Sequence, residues 1–142
     1  MATRRTLRSA QAVPKLMDPA TPCPCGLPAT YASCCERFHR GEPAPTAELL
    51  MRSRYSAFAV RDADYLLRTW HPTTRPPRLT LDPSEQWLRL EILDTAQGGL
   101  LDAAGEVTFR AEYAAGSRSG ATQERSRFVR VDGHWVYLDA LA

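Results

Sequence analysis

The sequence predicts an α+β protein, with a cysteine-bound knuckle at its amino end and helices packed on one face of a curved antiparallel sheet. Three observations predict it. All four cysteines fall in Cys23-Pro24-Cys25 and Cys34-Cys35, and none lies elsewhere. Apolar residues recur with helical period between Ala47 and Trp70, then with period two from Leu88 onward. Asp132-Gly133 separates two strand-like runs near the carboxyl end and matches the twist of a tight hairpin.

A chain of 142 residues, 44% apolar and 24% charged, fits one globular domain with a small appendage. We divide it into a tail over 1–21, a knuckle over 22–40 and an α+β domain over 41–142. The tail sets Arg4, Arg5, Arg8 and Lys15 against Asp18, offers little to pack and is expected to be mobile. It lacks the apolar core of a signal peptide, and no run is long enough to span a bilayer, so the expected location is cytoplasmic with no membrane partner. The formal charge of +2, with both signs interspersed, argues against nucleic acid as a partner.

In the knuckle, four thiols in a C-x-C-x₈-C-C pattern can wrap one tetrahedral Zn²⁺, because the intervening loop returns the second pair to the first. Pro22, Pro24 and Gly26 suit a tight chelating turn. Four protein ligands leave no open position, so the expected metal is structural. Disulfides are the alternative, disfavoured in a reducing compartment. His39, four residues after Cys35, competes with Cys35 as fourth ligand, since adjacent cysteines both ligate only across a kinked backbone.

Gly41 to Pro45 reads as a short stiff linker, and Thr46 as the N-cap of a helix running to about Val60. Ala47, Leu50, Met51, Tyr55 and Phe58 form its core stripe. The opposite line of Leu49, Ser53, Ser56 and Val60 is small or apolar, and suits packing against the knuckle. Asp62 caps a second helix carrying Ala63, Leu66, Leu67 and Trp70, which Pro72 ends. Asp82-Pro83-Ser84-Glu85 has the form of a capping box, predicting a short third helix containing Trp87. Leu88, Leu90 and Ile92 then alternate with polar residues, as do Val107, Phe109, Ala111 and Tyr113, predicting half-buried strands. Gly98-Gly99 and 102–105 supply turns, and Gly116 to Gly120 is expected to be a flexible loop. Strands over 123–131 and 134–140 flank Asp132-Gly133.

The run Cys23-Pro24-Cys25-Gly26 through Tyr31 to Cys34-Cys35 resembles the SEC-C zinc motif, first known from the tail of the SecA translocase, where a small metal knuckle serves protein contact. Pro45-Thr46-Ala47-Glu48, then Met51 to Phe58, then Tyr65-Leu66-Leu67 with Thr69-Trp70-His71-Pro72, and finally Glu124 to Phe128 resemble signature blocks of the YchJ-type family. That resemblance covers about residues 22 to 140. It implies a zinc knuckle followed by a nuclear-transport-factor-2-like (NTF2-like, cystatin-like cone) domain, and it implies no activity. Many relatives carry Gly-Ser-Gly-Lys after the second cysteine, where this chain has Gly26-Leu27-Pro28-Ala29. The basic character of that loop is therefore missing here.

Such a cone leaves a cavity between helices and sheet, where Arg54, Tyr55, His71, Tyr113 and Glu124 are the binding candidates. Arg54 sits at the margin of its helix's apolar stripe and needs an acceptor, for which Glu124, Glu112 or a ligand anion would serve. His71 ends a helix, where the dipole favours imidazolium. Glu124 shares a strand face with Ser126 and Phe128, near Tyr113 or Tyr137. No residue is assigned as catalytic, because no phosphate loop, dinucleotide fingerprint, nucleophile elbow or H-E-x-x-H site is present. The expected function is a zinc-containing, non-catalytic module that binds another protein through the knuckle or a small molecule in the cavity. An isomerase- or hydrolase-type enzyme with Glu124 or His71 as base is the alternative, weak nucleic-acid association a third, and a homodimer through the outer sheet face a further option.

Overall fold

The computed structural model describes residues 17–141. Most of the expected tail, up to residue 16, therefore lies outside the described residues. Its last part is tied down. The amides of Tyr31 and Ala32 donate to the carbonyls of Thr21 at 2.8 Å and Pro19 at 3.0 Å.

Three helices follow, α1 (Cys35–His39), α2 (Ala47–Val60) and α3 (Ala63–Arg68), and then four strands, β1 (Glu85–Gln97), β2 (Ala104–Ala115), β3 (Arg118–Val131) and β4 (His134–Ala140). The strands form one antiparallel meander in the order β1-β2-β3-β4. Helix α2 lies across it. Leu50, Met51 and Tyr55 of α2, Leu66 of α3, and Val107, Phe109 and Phe128 of the sheet share one buried core, to which α1 adds Phe38. Two of the three expected helix starts are observed: Thr46 Oγ1 accepts from the Leu49 amide at 3.1 Å, and Asp62 Oδ1 from the Tyr65 amide at 3.0 Å. Thr46→Ala should leave one amide at the α2 terminus without its acceptor and cost about 1 kcal/mol in a urea titration, with the slope unchanged.

Helix α3 stops at Arg68, one residue before its cap, short of the expected Trp70. The chain leaves the helix there to bridge β4 in parallel: the His71 amide donates to the Tyr137 carbonyl and the Tyr137 amide to the Thr69 carbonyl, both at 2.8 Å. Backbone groups that a further turn would have used are satisfied on the sheet instead.

The helix expected at Glu85 is strand. Asp82 Oδ1 does accept from the Ser84 amide at 2.9 Å, as a capping residue would, but Glu85 already pairs with Ala115 and Trp87 with Tyr113. An Asx turn opens a helix or a strand equally well, and the partner strand decides. The expected alternation of Leu88 with Leu90 and Ile92 is also corrected. Register shifts at Leu88 and Leu93 extrude both leucines, leaving them 59% and 43% exposed, and turn Trp87 inward with Leu90 and Ile92. Bulges of this kind bend the sheet over the helices.

The loop expected over Gly116 to Gly120 shrinks to Gly116-Ser117, and β3 begins at Arg118. Gly120 lies inside the strand opposite Tyr113, where a Cβ would come within 2.9 Å of the tyrosine hydroxyl. Its glycine serves close approach, not looseness. The hairpin at Asp132-Gly133 is as expected, with φ of 53° and 81° at its two residues.

Candidate metal centre and cavity

The knuckle is built from two turns. Pro22 pairs with Thr30, the Cys23 amide donates to the Ala29 carbonyl at 2.9 Å, and Gly26, at φ 90°, donates back to the Cys23 carbonyl at 3.2 Å. This folds Cys23 and Cys25 toward Cys34 and Cys35. The kink that adjacent ligands require falls at Cys34, the N-cap of α1, with φ −122° and ψ −105°. All four cysteines are buried and free, and their Sγ atoms lie within 4.8 Å of one another. Cys25 Sγ and Cys34 Sγ are 3.7 Å apart. Zinc–sulfur bonds of about 2.3 Å in a tetrahedron set sulfurs about 3.8 Å apart, so the donor set fits a metal ion.

The sulfurs also perturb one another. Hydrogen bonds from the neighbouring thiols, Cys25 first, hold Cys23 far below the ordinary thiol range. Burial and the charge of its neighbours push Cys34 up to about 12, and Cys35 is pushed up by its contact with Cys23. Four sulfurs in one buried cluster suit a cation.

His39 is not a fourth ligand. Its Nε2 lies 2.8 Å from the Ser53 carbonyl and its Nδ1 2.7 Å from Tyr31 Oη. A carbonyl can only accept, so Nε2 carries the proton and Nδ1 accepts from the tyrosine. Burial lowers the pKa of this imidazole below its usual value. The native state therefore holds His39 neutral, and the unfolded chain takes up the proton that the native state refuses. The stabilisation is complete above about pH 6.5 and is lost as pH falls below it. In urea titrations between pH 7.5 and 5.5, the wild type should lose stability relative to His39→Gln; parallel pH curves would contradict the assignment.

Helix α2 receives the knuckle on the line of small residues expected to do so. Ser56 Oγ lies 3.6 Å from Cys23 Sγ, and Arg52 Nη1 donates to the Cys25 carbonyl at 2.8 Å. From α3, Arg68 Nη2 donates to the carbonyls of Phe38 at 3.3 Å and His39 at 2.8 Å, closing the end of α1. Sequence reasoning did not assign Arg52 or Arg68, since a surface arginine carries no local sign of the carbonyl it will reach.

A cavity of about 240 Å³ lies between α2 and the concave face of the sheet. Met51, Arg54, Tyr55 and Phe58 reach it from one stripe of α2; Trp87, Phe109, Glu124 and Tyr137 reach it from the four strands. Glu124 sits directly across from Phe109, and its Oε2 accepts from Ser126 Oγ at 2.6 Å and Tyr137 Oη at 3.2 Å. Burial pushes Tyr55 and Tyr137 up to about 12, so both hydroxyls keep their protons.

Arg54 is 5% exposed. The ion pair expected with Glu124 or Glu112 is not formed; Nη1 donates instead to the Leu66 carbonyl at 2.8 Å and to Thr69 Oγ1 at 2.7 Å. Its guanidinium carbon lies 4.9 Å from the centre of the Tyr137 ring and 5.2 Å from that of Trp70. Burial lowers its pKa to about 10, which still leaves it cationic at neutral pH.

Of the five binding candidates, Arg54, Tyr55 and Glu124 meet in this cavity and two do not. Tyr113 points to the neighbouring Trp87 ring, with centroids 5.5 Å apart, and closes against Gly120. His71 is drawn to the β4 edge, where its Nδ1 accepts from the Thr73 amide at 3.0 Å. Ser126 and Tyr137, which strand alternation places beside Glu124 without making them binding candidates, line the site as well, whereas Trp70 is delivered by the early end of α3.

A buried four-cysteine knuckle seated on a cone of helices and curved antiparallel sheet defines a SEC-C motif protein with an NTF2-like domain. Residues 46–140 match the family model described as YchJ, middle NTF2-like domain. The chain is 62% identical over 122 residues to a UPF0225 protein of Streptomyces coelicolor, covering 85% of this chain and 95% of that one. It is 55% identical over 140 residues to a UPF0225 protein of Streptomyces avermitilis, covering 98% and 96%. The solution structure of a SEC-C motif containing protein from Rhodopseudomonas palustris superposes with a TM-score of 0.72 at 32% identity, over 84% of this chain and 97% of that one. A crystal structure of a SEC-C motif containing protein from Psychrobacter arcticus gives 0.70 at 28%, over 85% and 82%. The chain belongs to the YchJ (UPF0225) family. Among the described residues no helix is long and apolar enough to cross a membrane.

Proposed function

We propose that the protein is a zinc-stabilised, non-catalytic module that binds a small molecule in its NTF2-like cavity. Cys23, Cys25, Cys34 and Cys35 hold the ion in a closed set, and when bound it cross-links the turn at Cys23–Cys25 to the start of α1. The metal shapes the protein and takes no part in chemistry. What carries the ligand-binding reading is an aromatic-walled cavity holding a buried guanidinium with no carboxylate partner among the described residues. A cavity of about 150 Å³ already admits benzene, so this one has room for a single substituted ring. No histidine lines it. The arrangement thus offers anchoring without the usual proton carrier.

The test has two arms. Protein purified without chelators should contain about one zinc per chain. The neutral compound phenylacetamide should saturably change the fluorescence of Trp70 and Trp87, and Ala111→Trp, which fills the cavity from β2, should abolish the change. Binding unaffected by that substitution would place the ligand elsewhere.

A further inference from the structure

We infer that the cavity takes a small monocarboxylate with an apolar body about one ring in size, its carboxylate held by Arg54. The inference rests on the ligand-binding reading above and names its ligand class. Both hydrogen bonds that Arg54 makes among the described residues come from Nη1, so Nε and Nη2, three N–H groups in a planar fork, have no acceptor among those residues. Beside it Trp70 Nε1 is buried and is also without a partner. Buried donors are nearly always paired; Trp70 Nε1 is such a donor left without a partner among the described residues, while the free nitrogens of Arg54 are accessible from the cavity, so both side chains point to an acceptor that a ligand would supply.

That acceptor is an anion rather than a neutral carbonyl because the fork belongs to a buried cation. Glu124 does not serve. Its Oε2 is turned to Ser126 and Tyr137, and the Tyr137 side chain stands between the two charges, its ring on Arg54 and its hydroxyl on the carboxylate. A guanidinium and a carboxylate meet through two parallel N–H···O bonds, the geometry a ligand carboxylate would complete here. In the rest of the lining Met51, Phe58, Trp87, Phe109 and Ala111 are apolar and Tyr55 and Thr122 add only neutral hydroxyls, so no second cation is there to pair a second negative charge. A dicarboxylate, a phosphate ester or a sugar would leave polar groups facing that wall.

Tryptophan fluorescence titrations of the full chain at pH 7.5 with phenylacetate and with phenylacetamide separate charge from shape. Phenylacetate should bind about tenfold more tightly or better, the size of one charge-assisted hydrogen bond. Arg54→Gln should bring the two affinities together, and Glu124→Gln should not weaken the acid. Equal wild-type affinities, a measurement that needs no variant, would overturn the inference while leaving the cavity as a ligand site. Binding of neither compound would sink both.

Discussion

Replacing Cys25 with serine is expected to empty the metal site and to lower the melting temperature by about 10 °C or more. A hairpin of this size buries too little surface to offset its own ordering, so with the proposed zinc bound most of its stability would come from the ion; structural zinc sites supply about 10–16 kcal/mol of apparent binding energy. At a few degrees per kcal/mol for a chain of this length, losing even a modest part of that shifts the melt substantially. Cys25 is fully buried and its carbonyl accepts from Arg52 of α2, so the damage should reach beyond the knuckle. In hydrogen exchange, the amides of Cys23, Gly26 and Tyr31 should lose protection first, followed by the face of α2 that carries Ser53 and Ser56. A serine variant that retained stoichiometric zinc and an unchanged melt would contradict the closed four-sulfur site.

Phe38→Ala should be nearly as severe, at about 3–5 kcal/mol, the usual cost of deleting a fully buried phenyl group together with the cavity it leaves. Phe38 is 1% exposed and lies in the common core with Leu50, Leu66 and Trp135, although it belongs to the helix that follows the cysteines. It bolts the knuckle to the body. Denaturant unfolding should show the midpoint shifting with the zinc content unchanged, because no sulfur contacts depend on the ring. A loss below about 1 kcal/mol would mean that α1 can lift from the core at little cost and that the knuckle is held by its polar contacts alone.

The two predictions act on opposite ends of one device. Removing the metal frees the turns of the knuckle while its Phe38 anchor remains, whereas removing the anchor leaves a metal-bound knuckle attached through Arg52, Ser56, His39 and Arg68. Combining them should give less than the sum of their separate costs, since each alone already loosens the same surface.

Local chemistry was legible where a residue's role is decided by near neighbours in the chain. The spacing of four cysteines identifies the sulfur cluster, because a short loop has few ways to close. Thr46 and Asp62 announce their helices, since a cap bonds to an amide three residues away. The alternation from Val107 to Tyr113 and the Asp132-Gly133 turn likewise mark strand and hairpin without reference to anything distant. Asp82 to Glu85 shows the limit: the same Asx geometry begins a helix or a strand, and only pairing with Ala114 and Ala115 chose the strand.

What tertiary structure alone decided is where long side chains end. Arg54 was expected to find a carboxylate and instead spends one nitrogen on Leu66 and Thr69, leaving the rest of its fork facing a cavity. His39 was a rival metal ligand until Tyr31 and Ser53 occupied both ring nitrogens. Bulges at Leu88 and Leu93 turned Trp87 inward, and the parallel bridge at Tyr137 carried His71 away from the site it was expected to join. The physical reason is common to all of them. Backbone caps and metal-binding turns are satisfied within a few residues, whereas a guanidinium, an imidazole or an indole takes its partner from whatever the folded chain brings within hydrogen-bond reach.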